Sequence, residues 1–150
     1  MKFLVVNGPN LNLLGRREPA IYGRRTYAEL TAYLQEVCAS VGAECEIFQS
    51  NHEGAIIDRI QAAMDCVDGL VINPAGYTHT SVAIADCIRA VELPAVEVHL
   101  SDIHAREDYR RVSYTAPACL AAFCGKGFES YGEAVRFLAA HLKERDHHAD

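Results

Sequence analysis

The chain has 150 residues, half of them hydrophobic, and carries a net charge of −6. Such a length suits one domain with one core, and no apolar run approaches the ~20 residues that cross a bilayer. The acidic balance argues against a general nucleic-acid surface, although a few arginines in a cleft would still attract a small anion.

The opening MKFLVVNGPN is too short for a secretory segment and lacks a small-residue cleavage site. A cytoplasmic protein without nucleic-acid or membrane partners is expected. The six cysteines, Cys38, Cys45, Cys66, Cys87, Cys119 and Cys124, form no CxxC pair. They read as buried reduced thiols, not as a zinc site or a disulfide framework.

Phe3 to Val6 reads as a buried strand, followed by a polar segment without periodicity from Pro9 to Arg25. Thr26 and Glu29 make a capping box, and Tyr27, Leu30, Leu34, Val37, Cys38 and Val41 stripe a helix that stops at Gly42. Glu44 to Gln49 is a second strand, and Ile56, Ile57, Ile60, Met64 and Val67 stripe a second helix. Leu70 to Ile72 is continuous and apolar, as a central parallel strand should be. A third helix carries Ile84, Cys87, Ile88 and Val91 and ends before Pro94. Ala95 to Val98 is a fourth strand, interrupted by Glu97, and Leu120 to Cys124 a fifth. Between them, Ser101 to Pro117 is charged and predicts no more than a short helical piece. Ser130 and Glu133 suggest a capping box opening the last helix.

Strands alternating with helices predict a doubly wound, three-layer αβα domain with a five-stranded parallel sheet. The order 2-1-3-4-5, the flavodoxin-like arrangement, is expected. One catalytic domain should span residues 1–142, with 143–150 as a polar, disordered tail.

Open parallel sheets bind ligands beyond the carboxyl ends of their strands, where the strand order reverses. Here those ends run into Asn7-Gly8-Pro9-Asn10, Asn73-Pro74-Ala75-Gly76-Tyr77-Thr78-His79 and His99-Leu100-Ser101. Amides, two histidines and a serine thus converge on one edge. A flavin phosphate loop, a GxGxxG fingerprint and a GxxxxGK[ST] loop are all missing, and the histidines lack partners at metal-ligand spacing. Acid–base chemistry on a small polar substrate remains, with no metal and no cofactor.

The segment from Pro9 to Arg25 is long for a structureless connection and suits a lid. It carries Tyr22 among Arg16, Arg17, Arg24 and Arg25. Ionising a tyrosine of pKa near 10 at pH 7 costs about 4 kcal/mol. A guanidinium roughly 4 Å away contributes a comparable ~4 kcal/mol at an effective dielectric of 20. The same residues also suit a solvated loop with Tyr22 as a packing residue, and spacing does not choose between the two.

Several motifs, in order and spacing, resemble type II 3-dehydroquinate dehydratases. They are Asn7 to Gly15 followed by Arg17-Glu18-Pro19 and Tyr22-Gly23, Gln49 to Gly54, Ile72 to Gly76, Thr78 to Ser81, Glu97 to Ser101, and His104 to Glu107 with Arg110. The likeness runs from about Lys2 to Leu142, with Asp102 standing where asparagine is more usual. It implies a cofactor-free lyase of the shikimate pathway that eliminates water from 3-dehydroquinate by an anti route through an enolate. By the same resemblance Tyr22 is the base, Arg17 stabilises its ionised form, Asn10 supports the enolate oxygen, and His99, oriented by Glu97, is the general acid. Asn73, His79, Arg110 and the backbone of Leu100 and Ser101 would bind substrate. Asp86 would enter a neighbour's site in a dodecamer built from trimers; by itself it reads as a polar residue on a solvated helix face.

Two rivals remain. A Schiff-base route to the same product needs a lysine, and Lys2, Lys126 and Lys143 are the only ones. A non-catalytic metabolite-binding module of the same fold predicts binding without turnover.

Overall fold

In the computed structural model, which describes residues 1–16 and 18–149, the apolar runs become five parallel strands in the order β2-β1-β3-β4-β5. These are β1 (Lys2–Asn7), β2 (Glu44–Gln49), β3 (Gly69–Asn73), β4 (Ala95–His99) and β5 (Ala121–Cys124). Between and after them run α1 (Pro19–Tyr22), α2 (Tyr27–Ser40), α3 (Glu53–Ala62), α4 (Val82–Val91) and α5 (Phe128–His148). The expected doubly wound order is the observed one.

Period-two alternation sends successive strand residues to opposite faces. Phe3, Val5, Val71, Val96 and Val98 pack under α2 and α5 with Leu34 and Leu138. Leu4, Val6, Leu70 and Ile72 pack under α3 and α4 with Ile56, Ile60 and Ile84. The central strand β3 is buried along its whole length, and each such fully buried aliphatic side chain contributes roughly 1.5–3 kcal/mol.

The helices start where local chemistry supplies acceptors for their free N–H groups. At α2 both halves of the capping box form: Glu29 N–H donates to Thr26 Oγ1 (3.2 Å) and Thr26 N–H to Glu29 Oε2 (2.7 Å). Ser81 caps α4 by accepting the Ile84 N–H at 2.9 Å. The box expected at Ser130 does not form. Helix α5 already begins at Phe128, after Gly127 at φ 59°, and Ser130 Oγ accepts the Lys126 N–H at 3.0 Å. A glycine free to take positive φ thus sets the start of α5 two residues before Ser130.

Other expectations shift as well. Helix α3 ends at Ala62, leaving Met64 exposed beyond it. Cys66 is likewise exposed, and Cys45, Cys119 and Cys124 only half-buried; Cys38 and Cys87 are the two buried thiols. The stretch after β4 holds three single 3-10 turns, at Ile103–Ala105, Asp108–Arg110 and Ala116–Ala118. The polar tail expected to be disordered continues α5 through His148, exposed from Lys143 onward. Good helix formers such as Lys143, Glu144 and Arg145 extend a helix already anchored by Leu138 and Leu142. No helix among the described residues is long and apolar enough to cross a membrane.

Candidate active site

Strands β1 and β3 end side by side, with Asn7 opposite Asn73. Beyond them the two loops cross in close contact: Gly8 N–H donates to the Asn73 carbonyl at 2.8 Å. A Cβ on Gly8 would lie 2.4 Å from the carbonyl oxygen of Pro74, so only glycine permits this crossing. Next along each loop, Asn10 (φ 68°) and Ala75 (φ 52°) take the left-handed conformation, a cost that folds carry mostly around ligand sites. Side-chain acceptors hold both: Asn10 N–H donates to Asn51 Oδ1 (3.0 Å) and Ala75 N–H to Asn73 Oδ1 (3.1 Å).

Beneath these loops lies a buried polar network. Asn73 Nδ2 donates to the Tyr131 hydroxyl (2.9 Å), which donates to Asn7 Oδ1 (2.7 Å). Burial pushes the Tyr131 phenol up from its ordinary pKa, and the bond from Asn73 opposes this only in part. Helix α5 thereby ties the ends of β1 and β3 together from below.

Above the network opens a cleft of about 170 Å³, smaller than the ~300–1,000 Å³ of drug-sized ligand sites. Asn10 and Tyr22 reach it from the segment between β1 and α2, Asn73 and His79 from beyond β3. Leu100, Ser101 and Arg110 reach it from beyond β4. The sequence-predicted substrate side chains are therefore brought together, Asp86 excepted. That residue stands exposed on α4, 3.9 Å from Arg89, and does not line its own chain's cleft. Arg17 lies outside the described residues.

Arg106, given no role by the sequence reading, also lines the cleft. Its Nη1 donates to the Tyr22 hydroxyl oxygen at 2.6 Å, and the guanidinium carbon is 5.2 Å from the Tyr22 ring centroid. Nε of Arg106 and Nε of Arg110 approach one oxygen of Glu107, at 3.7 and 3.1 Å. Two guanidinium groups share that one carboxylate, so the local field in the cleft is positive despite the acidic chain.

A second polar pair is built on β4. Because Val96 and Val98 face the α2–α5 core, Glu97 and His99 share the opposite face. Both are buried, at 0 % and 4 % exposure, and His99 Nε2 lies 3.0 Å from Glu97 Oε2. The separation is that of a hydrogen bond, but its angles are not, and His99 Nε2 has no other hydrogen-bond partner. Burial alone would raise the Glu97 carboxyl; His99, Thr115 and Ser113 together outweigh it and hold Glu97 below the ordinary range. Neither Glu97 nor His99 lines the cleft that holds Tyr22; both line a separate cavity of about 480 Å³, together with His104, Arg111 and Cys124.

His79 contacts the Val112 carbonyl oxygen through Nδ1 at 2.7 Å, which makes Nδ1 the protonated nitrogen of the neutral ring. Burial, with smaller contributions from His99 and Arg110, lowers its pKa and favours that neutral form. The Nε2 of this cleft-lining residue is thus left as an acceptor. Lys2 and Lys126 pair with Glu46 and Glu133, at 2.7 and 2.6 Å, and no lysine lines the cleft. Among the described residues no three His, Cys, Asp or Glu side chains gather as a metal-ligand group.

Comparison with known proteins bears on the same fold and site. Residues 1–139 match the family described as dehydroquinase class II. The chain is 54 % identical over 138 residues to a 3-dehydroquinate dehydratase of Clostridium acetobutylicum, covering 92 % of this chain and 96 % of the relative. It is 51 % identical over 145 residues to a catabolic 3-dehydroquinase of Verticillium alfalfae, covering 97 % of each. A crystal structure of type II dehydroquinase from Butyrivibrio crossotus superposes with a TM-score of 0.90 at 48 % identity, over 92 % of this chain and 97 % of that one. The chain belongs to the class II dehydroquinase family.

Proposed function

We propose that this chain is a 3-dehydroquinate dehydratase, converting 3-dehydroquinate to 3-dehydroshikimate and water without a cofactor. The observation that carries the reading is the pairing of Tyr22 with Arg106 on one side of the cleft and of His99 with Glu97 at the end of β4. A guanidinium on a phenol oxygen favours negative charge there, which a base requires. A buried imidazole beside an ionised carboxylate is suited to carry and deliver a proton.

In this scheme the Tyr22 oxygen takes the proton on the carbon next to the substrate ketone. The C–H electron pair becomes the enolate, with Asn10 supporting the enolate oxygen. As the enolate collapses, the C–O bond to the departing hydroxyl breaks and His99 supplies the proton that makes it water. Tyr22 ends protonated and His99 deprotonated, and exchange with solvent resets both. Arg17 adds a second positive charge to the base side. Arg110, Asn73 and His79 hold the substrate hydroxyls, and the backbone of Leu100 and Ser101 holds its carboxylate. The enzyme works in the cytoplasm in the shikimate pathway, as a dodecamer of trimers in which Asp86 completes a neighbouring cleft.

The test is direct: incubate the protein with 3-dehydroquinate and follow the conjugated enone absorbance of the product. Ligand binding without that absorbance would point to a binding module instead. A covalent adduct trapped by borohydride would point to a Schiff base.

A further inference from the structure

The segment from Val112 to Thr115 reaches the His79 imidazole and the Glu97 carboxylate beside His99 without lining the cleft. Its Val112 carbonyl meets Nδ1 of His79 at 2.7 Å. Tyr114 N–H donates to the Thr78 carbonyl at 2.9 Å, which fixes the segment to the loop after β3. Ser113 Oγ lies 3.0 Å from each carboxylate oxygen of Glu97, and Thr115 Oγ1 donates to Oε1.

Donor accounting decides which oxygen Glu97 offers to His99. Ser113 Oγ accepts the Ala116 N–H at 3.0 Å; its single proton can serve either Glu97 oxygen, with Thr115 Oγ1 3.3 Å away as a further possible acceptor. Thr115 commits its own proton to Oε1. Oε2 is then the oxygen that faces His99 Nε2 at 3.0 Å. Left to itself, the terminal torsion of a glutamate is broad and roughly two-fold, so nothing local would select that orientation. Thr115 is fully buried, where an unpaired carboxylate oxygen would be costly.

We infer that Ser113 and Thr115 are positioning residues of the acid side: their hydroxyls lock the Glu97 carboxylate so that one oxygen orients His99 toward the substrate. This rests on the dehydratase reading above. The other ionisable groups near the pair are His79 on the cleft side, Cys119 and Cys124 around β5, and His104 and Arg111 along the rear cavity. None of these donates a hydrogen bond to Glu97 in place of the two hydroxyls.

The experiment compares the parent with Thr115→Val, Thr115→Ser, Ser113→Ala and His99→Ala, each assayed with 3-dehydroquinate across pH. Thr115→Val keeps the shape and removes the donor. Loss of an orienting partner should lower kcat by about tenfold or more while KM stays within about twofold. Thr115→Ser should restore kcat, and Ser113→Ala should show the same kcat-against-KM split more weakly. A Thr115→Val enzyme with parental kcat, with a KM that rises in step with the loss of kcat, or without rescue by serine would overturn the inference. Should valine prevent folding, Ser113→Ala is judged by the same split. If the parent itself does not turn over, the dehydratase reading falls and this inference with it. An active parent silenced by His99→Ala but indifferent to both hydroxyls would sink the positioning role alone.

Discussion

The guanidinium of Arg106 donates a hydrogen bond to the phenol oxygen of Tyr22 at 2.6 Å, joining residues 84 positions apart. A cation thus meets the Tyr22 phenol from the loop after β4, far along the chain from the segment that carries Tyr22.

Tyr22→Phe should remove the proton acceptor and lower kcat by roughly 10²–10⁴-fold, the usual contribution of general base catalysis, with the far-UV spectrum and melting unchanged. Arg106→Gln should lower kcat/KM by about tenfold or more, since it removes charge support needed most in the transition state. Arg136→Gln, an exposed pair on α5, serves as the comparison and should behave like the parent. Steady-state kinetics decide it: an Arg106→Gln enzyme as fast as Arg136→Gln would mean the contact is packing only.

Tyr131→Phe deletes one buried hydroxyl and strands two partners, Asn7 Oδ1 and Asn73 Nδ2. An unsatisfied buried polar group costs about 1–3 kcal/mol, so denaturant unfolding should show a loss of that order. Because Asn73 is a cleft residue, KM should rise alongside. Stability equal to the parent would show that the network relaxes without cost.

Gly8→Ala brings a Cβ to within 2.4 Å of the Pro74 carbonyl oxygen and 2.6 Å of its carbon. The loops must part, at an overpacking cost of about 1–3 kcal/mol, carrying Asn10 and Ala75 out of place. Both Tm and kcat/KM should fall. Gly54→Ala on α3 meets nothing within 4 Å and should stabilise by roughly 0.5–1 kcal/mol, the helix preference of alanine over glycine. Thermal melts of the two variants moving in the same direction would refute this account of Gly8.

Acid should destabilise the protein in two stages. His79 has a pKa lowered below its ordinary 6.5, chiefly by burial, so the unfolded chain binds that proton more readily than the folded one. Its stabilising effect is complete above pH 6.5 and is lost as pH falls from there through the folded value. Glu97 is also held below its ordinary 4.5; its contribution is full above that pH and is lost as pH falls through the lowered folded value. Melting temperatures measured from pH 8 to 3 should show both stages in the parent. His79→Gln should lack the first one, and parallel curves for the two proteins would exclude this origin.

Much of the fold was legible because its signals are local. The capping box at Thr26 and Glu29 spans three residues, and β2 and β4 announce themselves by runs of five or six. The convergence of Asn10, Asn73, His79 and Ser101 followed from topology once the strand order was known. Ser130 misled for the opposite reason: its hydroxyl serves a turn set by Gly127, a backbone property that the residue types around Ser130 do not display.

From its residues alone, this protein's alternation of strands and helices is determined, since it depends on periodicity within a few residues; the parallel sheet and the edge at which its polar residues gather follow from that alternation through the right-handedness of βαβ units. Tertiary structure decided the partners: Arg106 for Tyr22, Ser113 and Thr115 for Glu97, and Tyr131 for Asn7 and Asn73. Those contacts join positions 16 to 124 apart. The path of the chain between them, not the chemistry of either end, sets which groups meet.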